Sequence, residues 1–126
     1  MDGMRRPMQA MLIDGESNRD AILSGAKKLS IREGHRLYSF GSVLLGYVKD
    51  EFSPWAHVAY IHHVIWTTLD EVKPEHLKEE GYDSLCEAVK DLSTHYPDIN
   101  PQSKVTVVRW RPLQRGDKTP AAHSRS

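Results

Sequence analysis

Apolar and polar residues alternate most regularly between Lys28 and Arg32, where Ser30 separates Leu29 from Ile31. A period of two is typical of a β-strand that buries one face and leaves the other face polar. The polar face of this predicted strand therefore carries one hydroxyl group between two cations. The simplest interpretation is a solvated strand face near a turn. The functional interpretation is a nucleophilic hydroxyl with a nearby lysine as its base.

A short helix is predicted directly before this strand, from about Ser17 to Ser24. Ser17 suits the N-cap, and Asp20 three residues later completes a weak capping box. Gly25 suits the left-handed residue that ends a helix. The strand thus begins close to a defined helix end, with Lys27 at its entrance.

The rest of the chain predicts four further strands and two further helices. The strands fall at 8–13, 42–48, 55–67 and 104–111, and the helices at 68–80 and 84–95. Thr68 and Glu71 suit a capping box for the first of these helices, and Asp83 is expected to cap the second. Together these elements predict an α+β domain with a small, mostly antiparallel β-barrel flanked by short helices.

Several side chains are predicted to lie in the core. Cys86 is expected to be a small core residue of the last helix. The aromatic residues Trp55, Tyr60 and Trp66 are expected to pack in the core, and stacking on a nucleic-acid base is the alternative. Four apolar residues recur at helical spacing and predict the buried stripe of the last helix: Leu85, Ala88, Val89 and Leu92.

Composition limits the function classes. The chain has 126 residues, enough for one domain, with 17 basic and 17 acidic side chains. A net charge of zero argues against a protein that coats nucleic acid, but it allows a nucleoside in a pocket. A single cysteine excludes an internal disulfide and fits the cytoplasm, and no apolar run reaches the ~20 residues of a membrane span. We expect a loose N-terminus at 1–7, one domain at 8–113 and a disordered polar tail at 114–126.

Histidines raise the question of a metal site, since His57, His62 and His63 share one predicted strand. Neighbouring residues on a strand point to opposite faces, so His62 and His63 are not expected to share a ligand. The run contains no cysteine or acidic partner. We therefore predict no metal and no other cofactor.

The run Gly25-x-Lys27-x-x-Ser30-x-Arg32 after a short helix resembles the signature of the ASCH domain, a small PUA-like β-barrel family linked to RNA. Many members carry an acidic residue at the position of Ser30. A hydroxyl there resembles the YqfB-type N4-acetylcytidine amidohydrolases. The resemblance extends over about residues 15–113, and it implies a PUA-like barrel for the predicted α+β domain.

Those amidohydrolases use a lysine, a threonine and a glutamate, which fall by position on Lys27, Ser30 and Glu80. The glutamate follows a histidine by four residues in a short acidic helix, as Glu80 follows His76. Without the resemblance, Glu79 would be an equal candidate. The chain departs from the pattern in two places: serine replaces threonine, and the loop after Glu33 is rebuilt around Gly34-His35-Arg36.

The implied chemistry assigns a role to each residue. Ser30 would be the nucleophile and Lys27 its base, which requires the pKa of Lys27 to fall by ~3 units from about 10.4. Burial and the charges of Lys28 or Arg32 would lower it. Glu80 would protonate the leaving amine or activate water. Arg32 and Lys28 are the predicted substrate-binding residues, and pairing with a carboxylate is the alternative for Arg32.

The sequence therefore predicts a cytoplasmic amidohydrolase that cleaves N4-acetylcytidine, or a related N-acylated cytosine nucleoside, to cytidine and acetate. The alternatives are a non-catalytic ASCH module that binds RNA or a modified nucleotide, and an RNA-cleaving ASCH protein. Ser30 favours the enzyme, because a binding module has no need of a hydroxyl beside Lys27. The expected partner is a small nucleoside, with RNA as the alternative and no membrane. The oligomeric state is left open.

Overall fold

The described part of the chain forms one five-stranded sheet and three short α-helices. The computed structural model describes residues 9–13, 16–48 and 54–113. The termini predicted at 1–7 and 114–126 lie outside the described residues, and so do the side chains of Ser17 and Trp55. In chain order the strands and α-helices are β1 (Ala10–Leu12), α1 (Glu16–Ser24), β2 (Leu29–Glu33), β3 (Gly41–Val48), β4 (Pro54–Thr68), α2 (Pro74–Glu80), α3 (Leu85–Leu92) and β5 (Lys104–Pro112). A 3-10 helix at Leu69–Glu71 occupies the start of the helix predicted at 68–80, so α2 begins only at Pro74.

The sheet has the strand order β1-β3-β4-β5-β2 and curls into a half-barrel. Its strands pair antiparallel, except for the parallel pair of β1 and β3. The two edge strands, β1 and β2, approach each other across the open side of the half-barrel. There Arg32 Nη2 donates a hydrogen bond to the carbonyl oxygen of Leu12 at 2.7 Å. The prediction of an α+β fold with a mostly antiparallel sheet is confirmed.

Apolar side chains form a separate core on each side of the sheet. One core joins Leu29 and Ile31 of β2 to α2 and α3, where Leu77 and Leu92 are buried. The other core lies around Val43, Leu45, Ile61 and Val108, together with Ile22 of α1. Strand β5 contributes to both cores because its buried residues alternate between them.

Gly25 ends its helix as predicted, and Gly81 ends a second helix in the same way. Gly25 after α1 and Gly81 after α2 have φ angles of +86° and +103°, a conformation that glycine adopts without steric cost. The predicted caps are less accurate. The Thr68 hydroxyl donates to Asp70 instead of capping a helix, and Ser84, not Asp83, accepts the amide hydrogen bond that caps α3.

Two predicted core residues are exposed. Cys86 is on the surface because the buried stripe of α3 faces the sheet and residue 86 is about 100° around the helix from Leu85. Trp66 on β4 is 51% exposed. The predicted stripe itself is confirmed, with Ala88 and Leu92 buried and Leu85 and Val89 packed against the same core. None of the described helices is long and apolar enough to span a bilayer.

Candidate active site

A cavity of about 240 Å³ lies at the open side of the half-barrel, between β1, β2, α1 and the ends of α2 and α3. Apolar atoms of Leu12, Ile13 and Leu92 form part of its wall. Its polar lining includes four of the predicted site residues. Three of them lie on or beside β2, namely Lys27, Ser30 and Arg32, and the fourth is Glu80 at the end of α2. The fold thus brings side chains from both halves of the chain to one site.

Lys27 and Glu80 form an ion pair at the edge of this cavity, and both side chains are about nine-tenths buried. The other carboxylate oxygen of Glu80, Oε2, accepts a hydrogen bond from the backbone N–H of Ile31 at 2.8 Å. Because β2 is an edge strand, its outward N–H groups have no neighbouring strand to bind. Glu80 satisfies one of these groups and at the same time binds the Lys27 ammonium in the cavity that Ser30 also lines.

Ser30 is 6% exposed, and its hydroxyl is held by Arg32. Arg32 Nε donates to Ser30 Oγ at 2.9 Å, while Nη2 of the same guanidinium donates to the Leu12 carbonyl. Arg32 therefore connects the two edge strands and at the same time positions the Ser30 hydroxyl. The carboxylate partner considered for Arg32 is not among these contacts.

Burial and, to a smaller extent, the positive charge of Arg32 together lower the pKa of Lys27 to about 8, against an opposing effect of Asp91. The direction agrees with the requirement for a lysine base. Of the two neighbouring cations, Arg32 exerts this effect. Lys28 is exposed and does not line the cavity, so the structure does not bring it to the other predicted site residues.

The opposite wall of the cavity carries polar residues that sequence reasoning missed. Tyr82 donates a hydrogen bond from its phenol to Asp91 Oδ2 at 2.6 Å. Burial raises the pKa of Tyr82, and the bond to Asp91 raises it further, so the phenol remains a hydrogen-bond donor near neutral pH. Tyr82 lies between two helices and Asp91 flanks the apolar stripe of α3, and neither position carries a recognisable sequence signal.

The histidines of β4 are arranged differently from the prediction. Ile61 pairs with Trp110 and His63 with Arg109, so His62 is an extra residue in a β-bulge. The bulge brings the rings of His62 and His63 to 6.5 Å, and the prediction that they point to opposite faces is wrong. Within residues 9–13, 16–48 and 54–113, no three His, Cys, Asp or Glu side chains are grouped as a metal site requires.

Comparison with known proteins identifies the fold. A crystal structure of an ASCH domain from Lactobacillus crispatus JV V101 matches with a TM-score of 0.58, over 82% of this chain and 78% of that one, at 15% sequence identity. The fold is that of an ASCH domain. The predicted ASCH and PUA-like architecture is therefore confirmed. No family model and no curated protein matches the sequence.

Proposed function

We propose that this ASCH-fold protein is a cytoplasmic amidohydrolase of the ASCH family that cleaves N4-acetylcytidine, or a related N-acylated cytosine nucleoside, to cytidine and acetate. One observation carries the proposal: Ser30, Lys27 and Glu80 line the same cavity, and the pKa of Lys27 is lowered to about 8. A hydroxyl beside a lysine with a pKa near the working pH is a combination suited to nucleophilic catalysis.

The size of the cavity supports a small substrate. Its volume of about 240 Å³ lies just below the ~300–1,000 Å³ of common ligand pockets. A single acylated base suits such a volume, with the ribose towards the opening. Asp91, whose carboxylate accepts from Tyr82 and has lone pairs for further donors, provides an acceptor for the polar edge of a base.

In the first step, neutral Lys27 takes the proton of the Ser30 hydroxyl, and Ser30 Oγ attacks the acetyl carbon. Arg32, which donates to Ser30 Oγ at 2.9 Å, stabilises the negative charge on that oxygen. Glu80 stabilises the ammonium that forms on Lys27. The bond from the acetyl carbon to N4 then breaks, and N4 takes the proton from Lys27. Cytidine leaves, and the acetyl group remains on Ser30 as an ester.

In the second step, neutral Lys27 takes a proton from water, and the resulting hydroxide attacks the ester carbon. The bond to Ser30 Oγ breaks, the serine oxygen regains a proton from Lys27, and the acetic acid that forms loses its proton to water and leaves as acetate. In this scheme Glu80 acts through Lys27, which differs from a direct role as the acid that protonates the amine.

The test is incubation of the full chain with N4-acetylcytidine and, separately, with a short RNA, followed by chromatography. We expect cytidine and acetate from the first reaction and an intact RNA from the second. RNA fragments would favour a nuclease that uses the same site. Binding of RNA without any product from either reaction would favour a non-catalytic module.

A further inference from the structure

An exposed aromatic surface lies beside the candidate active site. Trp66 is 51% exposed, yet its indole Nε1–H donates to the carbonyl oxygen of Arg36 at 2.9 Å. The ring of His35 stacks on the indole, with 4.9 Å between the centroids and 12° between the planes. A ring nitrogen of His35 is in turn hydrogen-bonded to the Thr67 carbonyl at 3.0 Å. We call His35 and Trp66 the aromatic platform.

The sheet places Trp66 of the platform on the same face as Ser30 and Arg32. Arg32 pairs with Thr106 of β5, and Thr106 pairs with Trp66 of β4. Residues directly opposite each other on neighbouring strands share a face, and two strand spacings amount to roughly 10 Å. Thr106 also fixes the loop that follows β2 and carries His35, because its hydroxyl donates to the Gly34 carbonyl and accepts from the Arg36 amide.

Arg36 connects the platform to the cavity. Its guanidinium carbon lies 5.9 Å from the ring centroid of Tyr96, and Tyr96 lines the cavity. Arg36 is exposed, so its guanidinium group presents a positive charge at the surface beside Tyr96. Arg36 therefore contacts Trp66 through its backbone carbonyl and Tyr96 of the cavity wall through its side chain.

A flat aromatic surface and an adjacent arginine form the combination that binds a single-stranded nucleotide, since bases stack on aromatic rings and phosphates pair with guanidinium groups. We propose that the platform stacks the base next to the acetylated cytidine in single-stranded RNA, with the intervening phosphate on Arg36. The substrate class of the site then includes short oligonucleotides as well as the free nucleoside. This inference rests on the proposed function.

The experiment compares kcat/KM for N4-acetylcytidine with kcat/KM for two dinucleotides that carry a flanking nucleotide on the 5′ or the 3′ side. We expect one dinucleotide to be the better substrate by about 5- to 150-fold, the contribution of one base–aromatic stack. In Trp66→Ala this ratio should fall towards one. Phe40→Ala is the matched control, because Phe40 is an exposed aromatic of the same loop outside the platform, at 65% exposure, and its ratio should equal that of the wild type.

A binding measurement separates this inference from the proposed function. Fluorescence anisotropy with an unacetylated, labelled trinucleotide RNA should show weaker binding to Trp66→Ala than to the wild type. If the wild type binds this RNA through Trp66 but hydrolyses no acetylcytidine, the platform stands and the proposed hydrolase fails. If the wild type hydrolyses nucleoside and dinucleotides at equal kcat/KM and Trp66→Ala changes neither hydrolysis nor binding, the platform inference is overturned and the hydrolase stands.

Discussion

Lys27 and Glu80 form an ion pair with only 10% and 8% of their side chains exposed. Lys27 follows α1 and Glu80 ends α2, so the pair exists only because α2 packs along the edge of β2. Taking two charges out of water is unfavourable, and their attraction together with further hydrogen bonds must compensate for it. The bond from the Ile31 amide to Glu80 is one such compensation.

Removal of one partner should therefore destabilise the fold more than removal of both. Lys27→Met leaves the Glu80 carboxylate buried without its cation, and we expect a loss of about 3–5 kcal/mol in the free energy of unfolding. Glu80→Gln should cost less, because Lys27 has a pKa of about 8 and can release its proton. The double variant should be more stable than Lys27→Met, so its loss should also be smaller than the sum of the two single losses. Urea unfolding measures all three, and strictly additive losses would contradict a coupled pair.

The rate of hydrolysis should depend on the protonation of Lys27. Only the neutral amine can act as base, so kcat/KM should fall about tenfold for each pH unit below the lowered pKa of about 8 and level off above it. The positive charge of Arg32 contributes to this lowered value. Arg32→Gln should therefore shift the inflection to higher pH, which a pH–rate profile of both proteins would show. An inflection that stays in place would exclude Lys27 as the titrating base.

Substitution of Lys27 by arginine tests the same role at constant charge. Lys27→Arg should be as inactive as Lys27→Ala, because a guanidinium is not deprotonated near neutral pH. Partial activity of the arginine variant would mean that Lys27 acts only as a positive charge. Circular dichroism of both variants provides the control for folding.

Ser30→Ala should lower kcat/KM by at least ~10³-fold, as loss of a nucleophile does in serine hydrolases. Ser30 is buried and accepts from Arg32, so the variant should also lose about 0.5–1.5 kcal/mol of stability, seen as a lower thermal midpoint. Ser30→Thr should keep measurable activity, because the hydroxyl remains and the extra methyl only reduces the space for attack. Full activity of Ser30→Ala towards N4-acetylcytidine would exclude the covalent mechanism.

Glu79 and Glu80 are neighbours with different surroundings, which makes them a matched pair. Glu79 forms a 3.0 Å ion pair with Arg109 and is 37% exposed, so Glu79→Gln should leave kcat nearly unchanged and cost at most ~1 kcal/mol of stability. Glu80→Gln should severely lower kcat, since Lys27 loses the carboxylate that stabilises its charged form. Steady-state kinetics of both variants decide between the two glutamates, and equal effects would remove the special role of Glu80.

Chelation tests the expectation that catalysis needs no metal. Activity should survive exhaustive dialysis against EDTA, because among the described residues no three His, Cys, Asp or Glu side chains are grouped as a zinc site requires. Loss of activity that zinc restores would show that the histidines of β4 contribute ligands.

Several expectations failed where a side chain depends on neighbours far along the chain. Trp66 is a large aromatic residue of a strand and was expected in the core, but its ring lies on the surface and stacks with His35. The bulge at His62 changes which faces the histidines of β4 occupy, and its register is set by pairing with β5. Lys28 was as good a candidate as Arg32 by sequence spacing, yet it lies outside the cavity.

The sequence by itself determined the local structure: the two glycine helix ends, the strand around Ser30 and the buried stripe of α3. These features depend on backbone conformation and on periods of two or 3.6 residues, which adjacent residues specify. Only the tertiary structure decided that Glu80 rather than Glu79 meets Lys27, that Arg32 holds Ser30, and that Tyr82 and Asp91 complete the cavity. These contacts join elements that are distant in the chain, and they depend on the curl of the sheet and the packing of α2 and α3 at the open side of the half-barrel.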